Sequence, residues 1–189
     1  MTLLTHTTIT AIGCVVWTTV GFVWVIGRFT AKRTAVSQPW TTAVPYYGLL
    51  TMSLLMLLDI VPLPDARLMR NCPELSGLTL IIVGACIALW ARAVLARNWS
   101  GAVALQGDHE LIVRGPYRFV RHPIYSGFLL MVLGTALAQG RAQAFAAVII
   151  LIGCHVWKLR AEEVLLARHF PHFYPDYKAR TKALIPFIL

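Results

Sequence analysis

Two stretches of this chain concentrate side chains that bind charged groups and move protons, in a sequence that is otherwise mostly apolar. The first polar run reads HELIVRGPYRFVRHPIY over residues 109–125, and the second polar run reads EEVLLARHFPHFYPDYKAR over residues 162–180. Both combine His, Arg, Glu and Tyr, the residue types from which charge-recognition and acid–base sites are built. Ionisable groups are costly to place in or beside a bilayer and tend to be functional there. We therefore expect the two runs to form one site.

The first polar run predicts a site for an anion. Pro123 is expected to open a helix, since proline is tolerated in the first helical turn. The free N–H groups and the positive dipole end at such a start attract an anion such as a carboxylate, and Arg121 and His122 add donors. Tyr125 and Gly127 follow on the first turns, and Gly127 would allow close approach of a ligand or another helix.

The second polar run and the residues just before it predict a site for a cation. Lys158 and Glu162 are four residues apart, so they share a helix face. Arg160 and Glu163 are three apart and are also neighbours on a helix. Two carboxylates that basic neighbours keep ionised can hold a cation. A zwitterionic amino-acid group would therefore satisfy both runs at once.

Purely structural roles are the alternative for each of these residues taken singly. Basic side chains at helix ends commonly serve as interfacial anchors, and Tyr174 and Tyr177 fit interfacial aromatics. No metal site is expected, because His155 and the other isolated histidines lack a spaced partner and the four cysteines form no CxxC pair. The sequence contains no GxGxxG and no GxxxxGK[ST], so a soluble nucleotide-binding fold is unsupported.

The composition predicts an all-α integral membrane protein that would position these groups. Of the 189 residues, 58% are hydrophobic and 13% are charged, whereas soluble domains carry about 25% charged residues. The first apolar segment lacks a basic start and is expected to be a retained helix, not a signal peptide. The fourth and fifth segments are short, and the fifth helix is expected to continue past the membrane as an amphipathic helix. The five expected transmembrane segments lie near Thr5–Phe29, Thr42–Ile60, Leu75–Ala96, Pro123–Ala138 and Ala142–Trp157.

The net charge of +9 is distributed unevenly about these segments. Of the 17 Lys and Arg residues, only Arg67, Arg70 and Arg141 fall on the side opposite the polar runs. This asymmetry predicts an outside N-terminus and a cytoplasmic C-terminus, which places both runs at the cytoplasmic face. It also accounts for the basic charge without nucleic acid, which is not expected as a partner. The Ala- and Arg-rich composition indicates a bacterial inner-membrane protein.

The two runs together resemble the isoprenylcysteine carboxyl methyltransferase family and the related phospholipid N-methyltransferases. The resemblance covers about residues 97–188. It divides a single domain, residues 1–189, into a three-helix scaffold over 1–96 and a cofactor-binding and catalytic half over 97–189. The matching pieces are NWS at 98–100, HELIVRGPY at 109–117, RHPIYSG at 121–127, the second polar run, and LIPF at 184–187.

The resemblance implies methyl transfer from S-adenosylmethionine, bound without a Rossmann fold, to a lipophilic small molecule or lipid-modified substrate in membrane lipid. It also implies a site at the cytoplasmic face, closed by an amphipathic C-terminal helix. The residues it implies for the cofactor are His109, Glu110, Leu111, Ile112, Tyr117, His122, Pro123, Ile124, Tyr125 and Glu162.

The acceptor is less closely defined by the resemblance. Family members that methylate a carboxylate carry Arg at the position of Lys158. The guanidinium of Arg binds a carboxylate through two parallel hydrogen bonds, whereas the ammonium of Lys acts as a point charge. Lys158, or Arg160 in its place, is expected to orient the acid, and Arg121 and Glu163 complete the candidate catalytic set. Glu163 or a tyrosine would serve as the base for an amine or thiol acceptor.

A carboxylate is the preferred acceptor. N- or S-methylation of a phospholipid or small amphiphile, and a non-catalytic membrane scaffold, are the alternatives. A transporter is disfavoured because the polar groups gather at one membrane edge instead of near the midplane. The oligomeric state is open.

Overall fold

The computed structural model describes residues 3–30, 34–37, 40–58, 60–61, 67–69, 73–96, 104–106 and 111–186. In these ranges the helices are α1 Leu3–Thr30, α2 Trp40–Leu57, α3 Glu74–Leu95, α4 Pro123–Gln139, α5 Ala142–His169 and α6 Tyr174–Arg180. Two short antiparallel strands, β1 Thr34–Ser37 and β2 Ala104–Gln106, pair with Thr34 opposite Gln106 and Ser37 opposite Ala104. The predicted helical architecture is confirmed, and the strand pair is an addition that the composition did not indicate.

The first five helices correspond to the five apolar segments. Three stretches in the described part of the chain are long and apolar enough to cross a bilayer, namely Thr7–Phe29, Glu74–Leu95 and Ala142–His169. Val44–Leu57 and Pro123–Gln139 are shorter apolar helices. The fifth segment runs on without a break to His169, so one rigid element carries both an apolar half and the paired glutamates.

α4 occupies the centre of the helix bundle. Its Met131 is fully buried and packs with Ile81 of α3. Its Val132 packs with Leu57 of α2 and Leu151 of α5. Because close-packed interiors resist displacement, these contacts fix the position of α4 and therefore of the polar residues at its start.

Glycines bring α3 and α4 into backbone contact at two levels. A Cβ atom on Gly84 of α3 would lie 2.5 Å from the carbonyl oxygen of Gly127 on α4, and a Cβ atom on Gly77 would lie 2.5 Å from that of Gly134. The two glycines of each helix are seven residues apart, about two turns, and thus lie on one face. The prediction that Gly127 permits close approach is confirmed, with α3 as the neighbour.

A tight turn reverses the chain between α4 and α5. Gly140 ends α4 with a left-handed φ of 66°, which glycine adopts without steric cost. Its carbonyl oxygen accepts hydrogen bonds from the N–H groups of Leu68 and Met69, at 2.9 and 3.2 Å. Arg141 forms a β-bridge with Arg67. Two of the three arginines predicted on the outer side thus lie at this end of the bundle, opposite the polar runs, and Arg70 lies outside the described residues.

Candidate active site

The start of α4 is built from the first polar run. A 3₁₀ turn over Gly115–Arg118 precedes it, and Gly115 has a left-handed φ of 61° that favours glycine. His122 then forms the N-cap and Pro123 is the first helical residue, as predicted. Among the described residues, no side chain caps this helix start. Pro123 has no N–H, and the Ser126 N–H donates to the carbonyl oxygen of His122 over 3.1 Å. The N–H groups of Ile124 and Tyr125 are therefore the ones that this helix start offers to a ligand.

Glu162 of α5 reaches the start of α4. Its Oε1 accepts a hydrogen bond of 2.6 Å from the Tyr125 hydroxyl, and its Oε2 lies 3.6 Å from Nδ1 of His122. The Glu162 side chain is 23% exposed and that of His122 is 6% exposed. The two polar runs thus meet at a carboxylate that water can reach.

Glu163, the neighbouring carboxylate, is enclosed by basic side chains. Its Oε1 lies 2.7 Å from Nε of Arg121, and its Oε2 lies 2.7 Å from Nζ of Lys178. Nε2 of His122 lies 3.5 Å from the same Oε1, so His122 stands between the two glutamates with one ring nitrogen toward each. Arg160, the neighbour that the helical spacing suggested, is exposed on α5.

The chain beyond α6 returns to the first polar run and pairs with it; we call residues 181–184 the C-terminal segment. The Arg121 N–H donates to the carbonyl oxygen of Lys182 over 2.8 Å. The His122 N–H donates to the carbonyl oxygen of Ala183 over 3.0 Å. The Arg121 guanidinium also donates to the carbonyl oxygen of Thr181. Arg121 therefore links Glu163 of α5 to the end of the chain.

Two tyrosines of α6 pack beneath this segment. Tyr174 is 1% exposed and Tyr177 is 7% exposed, so the interfacial role considered for them is wrong. The Tyr177 hydroxyl donates a 2.6 Å hydrogen bond to the carbonyl oxygen of Tyr117 in the 3₁₀ turn. Burial raises the pKa of Tyr177 to about 12, so the phenol keeps its proton at neutral pH and can donate this bond.

Lys158 lies one helical turn before Glu162 on α5. Its Nζ is 5.1 Å from the ring centroid of Tyr46 on α2 and 5.6 Å from that of Tyr125, within the range of cation–π attraction. The ring of His155, earlier on the same helix, lies edge-on to Tyr125 with centroids 4.9 Å apart. An ammonium framed by aromatic rings thus adjoins the carboxylate of Glu162.

Sequence reasoning missed the roles of Tyr46 and His155. Tyr46 lies in an apolar segment among other aromatic residues, and nothing in its spacing pointed to α5. His155 was assigned a structural role, although its position three residues before Lys158 placed it near the second polar run. Both are buried, and only the packing of α2 and α4 on α5 brings them to the site.

The helices α4 and α5, which meet at the site, lie in a stretch that matches a known family. The phospholipid methyltransferase family matches residues 73–172, more than half of the chain, including α3, α4 and α5. The chain belongs to this family.

Individual relatives of this family member carry more specific names. Protein-S-isoprenylcysteine O-methyltransferase B of Arabidopsis thaliana is 31% identical over 122 residues, covering 59% of this chain and 58% of that protein. Protein-S-isoprenylcysteine O-methyltransferase of Schizosaccharomyces pombe is 30% identical over 122 residues, covering 61% and 50%. The nickel-cobalt-cadmium resistance protein NccN of Alcaligenes xylosoxydans xylosoxydans is 34% identical over 98 residues, covering 50% and 45%. The chain spans at most about three fifths of the length of these relatives.

Most of the predicted site residues of this phospholipid methyltransferase family member lie at one end of the bundle. Ile112 and Tyr117 pack on Ala91 of α3, with Ile124 against the same cluster, and Leu111 directly precedes them. His109 and Glu110 lie outside the described residues. The residues that the structure brings together at the meeting of α4 and α5 are Arg121, His122, Pro123, Tyr125, Lys158, Glu162 and Glu163.

Proposed function

We propose that this family member transfers a methyl group from S-adenosylmethionine to the carboxylate of a lipophilic acceptor at the cytoplasmic membrane face. One observation carries the proposal: a water-accessible carboxylate, Glu162, and a partly buried ammonium, Lys158, meet at the start of α4. Two relatives are named for O-methylation of S-isoprenylcysteine, which supports an oxygen acceptor on an apolar molecule.

The chemistry of the donor set fits the two charged ends of the cofactor. The carboxylate of Glu162, 23% exposed, would hold the ammonium of the methionine part through a charge-assisted hydrogen bond. The N–H groups of Ile124 and Tyr125 at the start of α4, where no side-chain cap is formed, would hold its carboxylate. The adenosine would lie against residues 109–112 and Tyr117. When bound, S-adenosylmethionine supplies an electrophilic methyl group on a positively charged sulfur.

Lys158 is assigned to the acceptor. A carboxylic acid is ionised at neutral pH and needs no base, so alignment in a site that excludes water would supply most of the rate. A cationic acceptor is disfavoured for a specific reason. The faces of Tyr46 and Tyr125, which would otherwise attract a methylammonium group, already lie against the Lys158 ammonium.

Glu163 and Arg121 are assigned to positioning instead of proton transfer. The side chain of Glu163 is only 10% exposed and lies 2.7 Å from both Arg121 and Lys178. A carboxylate flanked by two cations is a weak base, because the cations favour its ionised form. Through Arg121 it would hold the C-terminal segment over the cofactor, as the resemblance to the carboxyl methyltransferases implies.

The proposed placement is in a bacterial inner membrane, with α1 to α5 each crossing the bilayer and the N-terminus outside. The bridge between Arg67 and Arg141 lies at the end of the bundle that would face outward. The larger share of basic residues then lies on the cytoplasmic side, as the positive-inside rule requires. An apolar tail would enter sideways from the bilayer, and the cofactor would enter from water.

Methyl transfer to matched acceptors tests the proposal. The protein in lipid vesicles is given methyl-labelled S-adenosylmethionine with N-acetyl-S-farnesylcysteine, with its carboxamide, or with phosphatidylethanolamine. We expect label only in the acid, as an ester that alkali releases as methanol. Glu162→Gln should abolish transfer, and Arg168→Gln, an exposed change on the same helix, should preserve it. Alkali-stable label in the phosphatidylethanolamine would contradict the carboxylate assignment and favour N-methylation.

A further inference from the structure

Tyr46 belongs to α2, outside the residues 73–172 that match the family, yet its ring lies beside the candidate active site. The residue is 6% exposed. The rings of Tyr47 and Trp157 lie 5.2 and 6.4 Å from its own, centroid to centroid. Neighbouring aromatic rings and burial thus fix the orientation of the Tyr46 ring, whose face lies 5.1 Å from the Lys158 ammonium.

The position of the Lys158 ammonium is defined from two sides. Tyr46 on α2 and Tyr125 on α4 both place their rings within cation–π range of it. A lysine ammonium is a point charge on a flexible four-carbon stem, whereas an arginine presents a rigid planar fork to a carboxylate. A lysine therefore needs help from its surroundings to hold an acceptor in one orientation.

We propose that Tyr46 is a positioning residue that fixes the Lys158 ammonium for the acceptor carboxylate and thereby contributes to acceptor specificity. The inference rests on the proposed function. The rings of Tyr46 and Tyr125, the aromatic frame, would hold the Lys158 ammonium in one orientation. An arginine would need no such frame, because its planar guanidinium orients a carboxylate by its own geometry. The contact from Tyr46 matters for acceptor binding and transfer but not for the cofactor, which is assigned to Glu162 and the start of α4.

A double-mutant cycle separates this role from a merely structural one. The single variants are Tyr46→Leu and Lys158→Arg, combined in a double variant, and Tyr46→Phe is the conservative control that keeps the ring. Transfer to N-acetyl-S-farnesylcysteine gives KM and kcat, and calorimetry with S-adenosylhomocysteine gives the cofactor Kd.

We expect Tyr46→Leu to raise the acceptor KM by about tenfold, in line with loss of a desolvated cation–π contact, with the cofactor Kd unchanged. Tyr46→Phe should restore KM to within about twofold, since the ring remains. In the Lys158→Arg background, Tyr46→Leu should raise KM far less, because the planar guanidinium orients the acceptor carboxylate without help from the Tyr46 ring.

The outcomes distinguish this inference from the proposed function. An equal effect of Tyr46→Leu in both backgrounds, or a parallel loss of cofactor affinity, would overturn the role of Tyr46 and leave the methyltransferase proposal standing. Wild-type protein that binds the cofactor but fails to methylate the probe would overturn the acceptor class and the inference with it. Wild-type protein that does not bind the cofactor would overturn the proposed function itself.

Discussion

Replacing Gly84 by alanine tests whether the contact between α3 and α4 sets the geometry of the site. The new Cβ atom would lie 2.5 Å from the carbonyl oxygen of Gly127 and 2.9 Å from the backbone nitrogen of Met131. Backbone atoms cannot rotate away, so reaching an ordinary separation of 3.4 Å requires the helices to move apart by about 0.9 Å. Overpacking costs about 1–3 kcal/mol, and the better helix propensity of alanine offsets about 1 kcal/mol of that.

The loss of activity is expected to exceed the loss of stability. Gly127 follows Tyr125 by two residues, so displacement of α4 shifts Tyr125 and His122 relative to Glu162. Misplacement by roughly 1 Å can lower a rate by about 100-fold. We therefore expect a net destabilisation of at most about 2 kcal/mol with a fall in kcat on the order of tenfold to 100-fold.

Thermal unfolding and labelled-methyl transfer, measured on the same lipid-reconstituted samples, provide the assay. Gly153→Ala is the matched control, because Gly153 lies on α5, the helix that carries Glu162, and nothing lies within 4 Å of its added Cβ atom. It should leave transfer unchanged and stabilise the protein by about 1 kcal/mol, because only the helix propensity changes there. If Gly84→Ala behaves like Gly153→Ala in unfolding and in transfer, the glycine contact does not set the site and the reasoning is refuted.

Two further predictions concern the C-terminal segment. Arg121→Ala should destabilise the protein by about 3 kcal/mol, because it removes the ion pair with the largely buried Glu163 and the hydrogen bonds to the carbonyl oxygens of Lys178 and Thr181. Lys178→Ala, at a 53% exposed side chain, should cost under about 1 kcal/mol. Equal losses in unfolding experiments would refute the assignment. Tyr177→Phe should cost about 1 kcal/mol through loss of the hydrogen bond to Tyr117. Since folding raises the Tyr177 pKa from its ordinary value near 10 to about 12, the stability that this group contributes is present below about pH 10 and is lost as the pH rises toward 12. The variant should therefore lose less stability than wild type over that interval, and identical pH profiles would contradict the role given to the phenol.

The sequence was sufficient to predict the helices and the start of α4, for local reasons. Long apolar segments must be helical in a bilayer, because the backbone has to satisfy its own hydrogen bonds there. Pro123 fits the first turn of a helix, and the structure starts α4 at that residue. The four-residue spacing of Lys158 and Glu162 placed both on one face of α5, and the two side chains lie at the same site.

Long-range partners were not predictable in this way. Helical spacing suggested Arg160 for Glu163, whereas Arg121, 42 residues earlier in the chain, makes the contact. Tyr46 reaches Lys158 only because α2 packs on α5, and no local pattern encodes that pairing. The seven-residue spacing of glycines in α3 and again in α4 was a usable signal, since small residues on one helix face permit close packing in membranes.

Calorimetric titration with S-adenosylmethionine and S-adenosylhomocysteine tests the central claim most directly. The proteins compared are the wild type, Glu162→Gln and the exposed control Arg168→Gln, each shown to be folded by its thermal unfolding. We predict saturable binding by the wild type and by Arg168→Gln, and loss of binding in Glu162→Gln. Absence of binding by the folded wild type, in lipid as well as in detergent, would contradict the methyltransferase proposal and favour a non-catalytic membrane scaffold.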